Sequence, residues 1–196
     1  MKDTVFVFAR APRLGQVKRR LAAGIGARAA LRFHAANLRR LARALAADRR
    51  FRTILAATPD RARLPGLPRL ARVPQGPGDI GARMDRACRR IPRGRVAIIG
   101  CDIPRARAAD VAAAFRALGR ADAAFGPAED GGYWLVALGP RRPARPFAGV
   151  RWSGPHALAD TRVNFHGRRV VLLRCLADVD TPADYAAWRR ASAEVA

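Results

Sequence analysis

Near its N-terminus the chain reads Val5-Phe6-Val7-Phe8-Ala9, an unbroken apolar run of β-branched and aromatic residues. Such a run predicts a strand that is buried on both faces of a parallel sheet. The residues that follow, 10–21, form a basic segment, Arg-Ala-Pro-Arg-Leu-Gly-Gln-Val-Lys-Arg-Arg-Leu. Ligands of open α/β sheets bind outside the carboxyl ends of the strands. We therefore expect the basic segment to contact a phosphorylated ligand.

The residue types of the basic segment suit a phosphate. Gly15 lets the backbone approach closely, and four side chains supply positive charge, namely Arg10, Lys18, Arg19 and Arg20. The segment has no Gly-Lys-Ser/Thr, so it is not a Walker A loop. An arginine-rich surface loop is the alternative interpretation.

Apolar runs and helical periodicity continue along the rest of the chain. Further strands are predicted at 51–58, 70–73, 96–99, 122–125, 133–138 and 169–173. Helices are predicted at 27–47, 79–90, 106–118, 153–160 and 182–193, and a loop at 10–26. This alternation predicts an α/β fold, a single Rossmann-like domain of residues 1–196 with a mostly parallel central sheet flanked by helices.

The composition fits one domain. The chain has 196 residues, of which 50% are hydrophobic, and this excludes general disorder. No apolar run approaches the ~20 residues of a membrane-spanning helix, and the N-terminus does not resemble a signal peptide. The three cysteines, Cys88, Cys101 and Cys175, are far apart and include no Cys-x-x-Cys. These features predict a reduced, cytoplasmic protein.

The chain is strongly basic. Lys and Arg number 38 against 15 Asp and Glu, a formal net charge of +23. Only Lys2 and Lys18 are lysines, which leaves 36 arginines. A basic protein that binds nucleic acid is one possible function, because such a charge attracts polyphosphate. The arginines are scattered in ones and twos with few aromatics between them, which favours ordinary solvated faces and no specific nucleic-acid partner.

Carboxylates are scarce, so their grouping is informative. Asp102 directly follows an apolar run, where a divalent metal and a diphosphate could meet, although it could also be a turn or cap residue. Glu129 and Asp130 precede Gly131-Gly132, which predicts either a hairpin turn or carboxylates held over a pocket. Asp178 and Asp180 lie just before Thr181-Pro182, the start of the last predicted helix. A capping box explains Thr181 and Asp184 but not Asp178 and Asp180.

The histidines show no metal-ligand spacing and are interpreted as structural or surface residues, at positions His34, His156 and His166. Cys101 is interpreted as a small apolar neighbour of Asp102 rather than a nucleophile.

Six ordered motifs resemble a bacterial glycosyltransferase-A-type family, the radical-SAM/selenodomain-associated transferases of the nucleotide-diphospho-sugar transferase superfamily. Molybdenum-cofactor guanylyltransferases and phospholactate guanylyltransferases have a related fold. The first three motifs match Pro12, Gly15, Val17, Lys18, Arg20 and Leu21; Gln75, Gly76, Gly78, Asp79, Gly81, Arg83 and Met84; and Gly100, Asp102 and Pro104. The others match Gly126, Pro127 and Asp130 to Tyr133; Trp152-Ser153; and Asp178 to Pro182 with Asp184. The departures are Arg10 for a lysine, Arg19 for a threonine and Ile80 for a leucine.

The resemblance implies an enzyme that binds an activated nucleotide, either a nucleotide-sugar or a nucleoside triphosphate. Asp102, with Asp180 or Asp178, would ligate Mg²⁺ or Mn²⁺. Nucleotide and phosphate contacts fall on Arg10, Pro12, Gly15, Lys18, Arg20, Gly78, Asp79 and Arg83. The acceptor or sugar pocket falls on Gly131, Gly132, Tyr133, Trp152 and Ser153, with Asp130 or Glu129 as the catalytic base. The expected reaction is glycosyl transfer to a small acceptor, and the alternative is transfer of a nucleoside monophosphate from a triphosphate to a phosphorylated acceptor.

Overall fold

The computed structural model describes residues 2–193, in which seven strands and six helices are assigned. The strands are β1 Thr4–Arg10, β2 Arg52–Thr58, β3 Ala71–Pro74, β4 Val96–Gly100, β5 Ala123–Pro127, β6 Tyr133–Leu138 and β7 Val170–Leu172. The helices are α1 Arg19–Ile25, α2 Ala27–Ala47, α3 Ile80–Arg89, α4 Ala108–Ala117, α5 Ala157–Val163 and α6 Pro182–Ala193.

The strands form one sheet in the order β3-β2-β1-β4-β6-β5-β7. Strand β1 pairs in parallel with β2 and β4, whereas β6 is antiparallel to both its neighbours, β4 and β5. The connection between β5 and β6 is a short turn, and a parallel crossover would need a dozen or more residues. All the strands except β6 run in the same direction, which confirms the predicted α/β fold with a mostly parallel sheet.

Alternate residues of β1 belong to opposite sides of the sheet. Val5 and Val7 lie in the cluster that contains Leu38 of α2, whereas Phe6 lies in the cluster that contains Met84 of α3. All five residues are at least 95% buried. The apolar run that opens the chain is thus a central strand covered by helices on both faces, as predicted.

Residues 10–26, predicted as a loop, contain helix α1, so that prediction was wrong over its second half. Leu21 is fully buried in a cluster with Ala30 and Val179. A Cβ on Gly24 would lie 2.3 Å from Cγ of Pro182, so the backbone of α1 closely approaches the first turn of α6. Tertiary contacts stabilise this seven-residue helix, which would be marginal in isolation.

The predicted helix starts are confirmed by their hydrogen bonds. Asp79 Oδ1 accepts from the Ala82 N–H at 2.7 Å at the start of α3. At α6, the Thr181 N–H donates to Asp184 Oδ2 at 2.7 Å, and the Asp184 N–H donates to Thr181 Oγ1 at 3.2 Å. These bonds fix the direction in which α6 leaves the segment that carries Asp180.

Several arginines brace the fold from within. Arg40 donates to the carbonyl oxygens of Ile103 and Ala106, and Arg142 donates to that of Cys88. A guanidinium engaged in this way has fewer donors left for a nucleic-acid backbone. Some of the arginines that make the chain basic therefore stabilise its fold.

Two further observations concern the predicted cytoplasmic location and the predicted reduced cysteines. Among the described residues, no helix is both long and apolar enough to cross a membrane. Cys88, Cys101 and Cys175 are unpaired. A cytoplasmic location stays a prediction.

Candidate functional site

The carboxyl edge of the sheet gathers the predicted site. Phe8 of β1 lies beside Gly100 of β4 in parallel register, so the basic segment and Asp102 leave the sheet side by side. The turn between β5 and β6 opens at the same edge. The segment after β7 reaches that turn through a bridge between Ala128 and Leu176. Residues far apart in the sequence therefore meet at one edge.

The side chain of Lys18 lies between two carboxylates. Its Nζ is 2.5 Å from Asp180 Oδ1 and 3.3 Å from Asp102 Oδ1. Only 4% of the lysine side chain is exposed, against 49% for Asp102 and 41% for Asp180. Burial opposes the charged lysine, but the two carboxylates outweigh it and raise the pKa of Lys18. The carboxylates therefore favour the protonated form of Lys18 at this site.

Asp102 is stabilised as a carboxylate. Burial would raise its pKa, but His34 and Lys18 hold the pKa of Asp102 well below its usual range. The opposite holds for Asp178, where partial burial and repulsion from Asp180 and Asp130 raise the pKa to about 6. The cluster thus carries more negative charge than Lys18 neutralises.

Three adjoining pockets surround these carboxylates. The basic pocket, of about 320 Å³, is lined by Arg10, Gln16, Lys18, Arg19, Arg20, Asp102 and Asp180 among others. The aromatic pocket, of about 260 Å³, is lined by Met84, Asp102, Asp130, Tyr133, Trp152 and Asp178 among others. The C-terminal pocket, of about 480 Å³, includes Arg20, Glu129, Asp130, Asp178 and Asp180. Each pair of pockets shares at least one carboxylate, so the acidic residues stand where the three spaces meet.

Two other residues of the basic segment, Gly15 and Pro12, lie in different surroundings. Gly15 adopts a φ of +71°, and a Cβ there would meet nothing within 4 Å, so the turn exposes its backbone. Pro12 instead lines a separate pocket with Leu31 and Leu64. A nucleotide contact by Pro12 stays a prediction that this placement does not support.

The loop before α3 is held by arginines of that helix. Arg83 Nε donates to the carbonyl of Gly78 at 2.9 Å, and Arg86 Nη1 donates to that of Gln75 at 2.5 Å. Gln75 is buried and donates to the carbonyl of Ala56 in β2 at 2.8 Å. Arg83, predicted as a nucleotide contact, thus helps to shape its own loop.

The predicted residues of this loop are not on the walls of the three pockets. Asp79 immediately precedes Ile80 and Arg83 immediately precedes Met84, and both Ile80 and Met84 line the aromatic pocket, whereas Gly78 is two positions before Ile80. Contacts between these three residues and a nucleotide stay predictions.

The turn between β5 and β6 presents Asp130 to the aromatic pocket. Asp130 Oδ1 accepts from the Gly132 N–H at 2.9 Å. The same segment therefore forms the hairpin turn and holds a carboxylate at the pocket. Gly131 has a φ of +82°. Glu129 lines only the C-terminal pocket, whereas Asp130 lines both.

Tyr133, Trp152 and Ser153 lie together on the aromatic pocket, and their contact with an acceptor or sugar stays a prediction. The rings of Tyr133 and Trp152 meet edge to face with centroids 6.3 Å apart. The indole of Trp152 lies against Gly81, where a Cβ would be 2.7 Å from the ring. A glycine in α3 therefore lets the aromatic wall approach the helix backbone.

The structure adds His34 to the site, a residue that the sequence placed among structural or surface histidines. His34 is 3% exposed, its Nε2 is 2.9 Å from the carbonyl oxygen of Arg10, and its Nδ1 lies 3.7 Å from Asp102 Oδ1. A carbonyl only accepts, so Nε2 carries a proton, and the ring can stabilise the Asp102 carboxylate only when Nδ1 is protonated as well. Its position on the buried stripe of α2 was readable from the sequence, but its partner was not.

A model of the family described as "Uncharacterized protein conserved in bacteria (DUF2064)" matches residues 33–154, which is more than half of the chain. The chain belongs to this family. No curated protein matches the sequence.

Several proteins of known structure share the fold. A candidate nucleotide-diphospho-sugar transferase from Desulfovibrio desulfuricans G20 is 27% identical with a TM-score of 0.87, over 97% of this chain and 88% of that chain. CMP:2-keto-3-deoxy-manno-octonic acid synthetase in complex with CTP is 12% identical with a TM-score of 0.59, over 100% of both chains. 4-Diphosphocytidyl-2C-methyl-D-erythritol synthase from Anaerococcus prevotii DSM 20548 is 10% identical with a TM-score of 0.58, over 96% and 98% of the two chains. The DUF2064 chain thus has the fold of nucleotide-dependent transferases, and the resemblance found from its motifs is confirmed.

Proposed function

We propose that this DUF2064 protein is a metal-dependent transferase that moves a glycosyl group from a nucleotide-sugar to a small acceptor. The observation that carries the proposal is the meeting of Lys18, Asp102 and Asp180 where the basic and aromatic pockets join. A cationic pocket suits the diphosphate of a donor. An aromatic wall beside it suits a sugar or an apolar acceptor face.

The donor set fits a hard divalent cation. Mg²⁺ is commonly held by one or two carboxylates together with substrate phosphates and water, and Asp102 with Asp180 or Asp178 would supply those carboxylates. Asp178 lines the aromatic pocket with Asp102, and its partial burial together with the nearby charges of Asp180 and Asp130 raises its pKa to about 6, so a cation at this place would relieve the repulsion between the carboxylates. When bound, Mg²⁺ or Mn²⁺ would neutralise charge that develops on the departing diphosphate.

Side chains of the protein would bind the donor phosphates and accept the proton of the acceptor. Lys18 and Arg20 line the basic pocket and would contact the donor phosphates. Asp130 lines the aromatic pocket and would accept the proton of the acceptor hydroxyl as that oxygen bonds to the sugar carbon. The bond from this carbon to the diphosphate oxygen breaks, and the nucleoside diphosphate leaves with the electron pair. Asp130 is preferred to Glu129 because only Asp130 faces this pocket.

Nucleotidyl transfer is the second candidate. Four cationic side chains line the basic pocket, Arg10, Lys18, Arg19 and Arg20, and this number suits a triphosphate as well as a diphosphate. The same carboxylates would serve both reactions. The leaving group differs, because a triphosphate donor releases pyrophosphate and a nucleotide-sugar releases a nucleoside diphosphate.

Binding of donors can be tested by thermal unfolding. Ribonucleoside triphosphates and nucleotide-sugars are added one at a time, with and without Mn²⁺. A ligand at a hundred times its Kd stabilises the folded state by about 2.7 kcal/mol, which raises Tm by about 5–10 °C in a domain of this size. We expect such a rise only with Mn²⁺ present. If no member of the panel raises Tm, the proposal fails; for the ligand that does, the released product decides between the two reactions.

His34 is expected to act as a positioning residue for Asp102. The variant His34→Gln removes the ring that faces the carboxylate. We expect its affinity for Mn²⁺, measured in the presence of the nucleotide donor identified by thermal unfolding, to fall about 10–100-fold. The exposed His166, changed to Gln, is the control. A loss of Tm in His34→Gln with unchanged Mn²⁺ affinity would show a purely structural role.

A further inference from the structure

The ammonium of Lys18 is the cation between Asp102 and Asp180, and it lies deeper in the protein than the two carboxylates. The ammonium is buried and touches one oxygen of Asp102 and one of Asp180, at 3.3 Å and 2.5 Å. The two carboxylates remain about half exposed at the junction of the pockets. The negative groups therefore face the solvent while the positive group that neutralises them lies behind.

The backbone of Lys18 is unusual as well. It has φ 48° and ψ 49°, the left-handed conformation, at the residue that precedes α1. Residues with a Cβ seldom adopt this conformation. Here it directs the lysine stem into the protein, where Asp102 and Asp180 hold the ammonium.

An ammonium and a divalent cation compete for the same two oxygens. A free hydrated metal ion approaching Asp102 and Asp180 meets a positive charge a few ångströms away. The ammonium can leave only if another anion receives it, because an unpaired buried charge is costly. A polyphosphate in the basic pocket is such an anion, since Lys18 also lines that pocket.

We propose that Lys18 makes the site selective for a metal–polyphosphate complex over the free metal ion. Without a polyphosphate, the ammonium stands in for the metal between Asp102 and Asp180. When a polyphosphate enters the basic pocket, the flexible lysine stem moves the ammonium to its oxygens, and the two carboxylates become free for the metal. This inference rests on the proposed metal-dependent function and adds to it that the metal and the polyphosphate bind together.

Binding of Mn²⁺ alone tests the inference, measured from the loss of the free-ion electron paramagnetic resonance signal. The variant Lys18→Met removes the charge and keeps an unbranched stem, and we expect it to bind Mn²⁺ alone about tenfold or more tightly than the wild type. Wild-type affinity should rise to a similar level when pyrophosphate or a ribonucleoside triphosphate is added. Lys2→Met is the matched control, because Lys2 is the other lysine of the chain and is exposed.

A measurement on the wild type keeps the test valid if Lys18→Met does not fold. Lysine labelled with ¹³C at Cε gives two signals, one for each lysine. The Lys18 signal should stay in place when Mg²⁺ is added alone and move when pyrophosphate is added with it. Movement with Mg²⁺ alone at the same concentration would overturn the inference.

The remaining outcomes separate the inference from the proposed function. Equal binding of Mn²⁺ alone by the wild type and Lys18→Met overturns the selectivity and leaves a metal-dependent transferase intact. If neither protein binds Mn²⁺ even with pyrophosphate and the triphosphates present, both the selectivity and the metal-dependent function are wrong.

Discussion

Replacing Asp102 with asparagine is expected to lower turnover by a factor of about 10²–10³ and to abolish the stimulation of donor binding by Mn²⁺. Asparagine keeps the size of the side chain and loses the charge that would hold the metal. The fold should persist, because Asp102 is half exposed and Lys18 retains its shorter contact with Asp180. Calorimetry with Mn²⁺ and the donor identified by thermal unfolding measures the binding, and circular dichroism checks the fold.

Asp85→Asn is the matched control for this variant. Asp85 pairs with Arg89 on the surface of α3, so the substitution removes one carboxylate and one ion pair away from the three pockets. Surface pairs of this kind contribute about 0–1 kcal/mol, and we expect unchanged donor affinity. If Asp102→Asn binds the donor with Mn²⁺ as tightly as Asp85→Asn does, Asp102 is not a metal ligand and the proposed mechanism is wrong.

Part of the site was predictable because the chemistry follows the topology. Lys18 and Asp102 each follow an apolar run that was predicted as a strand of a mostly parallel sheet, so a position at its carboxyl edge could be expected for both. That the two strands are neighbours is a finding of the structure. The approach of Asp180 was implied by the family resemblance rather than by periodicity, since a loop and a three-residue strand precede it. The structure brings Asp180 onto Lys18 through the contact between α6 and α1.

The parts that sequence reasoning missed depend on tertiary contacts. Helix α1 is short and contains Gly24, whose role becomes visible only when Pro182 lies against it. Arg83 matched a motif position, but the partner of its guanidinium is set by the shape of the loop at Gly78. For His34, the helical stripe indicates burial, whereas the distance to Asp102 depends on how α2 packs against the end of β4.

Gly131→Ala is expected to lower the free energy of unfolding by about 2–5 kcal/mol, the combined cost of a left-handed alanine and of overpacking. Gly131 has a φ of +82°, and a Cβ there would lie 2.3 Å from the carbonyl oxygen of Pro155. The turn cannot move away cheaply, because the Gly131 N–H donates to the carbonyl of Ala128 and its own carbonyl accepts from the Leu158 N–H. Urea denaturation measures the change.

Gly167→Ala separates the two costs of this substitution. Gly167 has a φ of +71°, and a Cβ there would meet nothing within 4 Å, so the control carries the backbone strain without the clash. We expect it to lose about 1–2 kcal/mol. Relief of the clash in Gly131→Ala must shift the turn that holds Asp130, so transferase activity should fall further than the loss of folded protein explains. Equal losses of stability in the two variants would show that the contact with Pro155 does not constrain the turn.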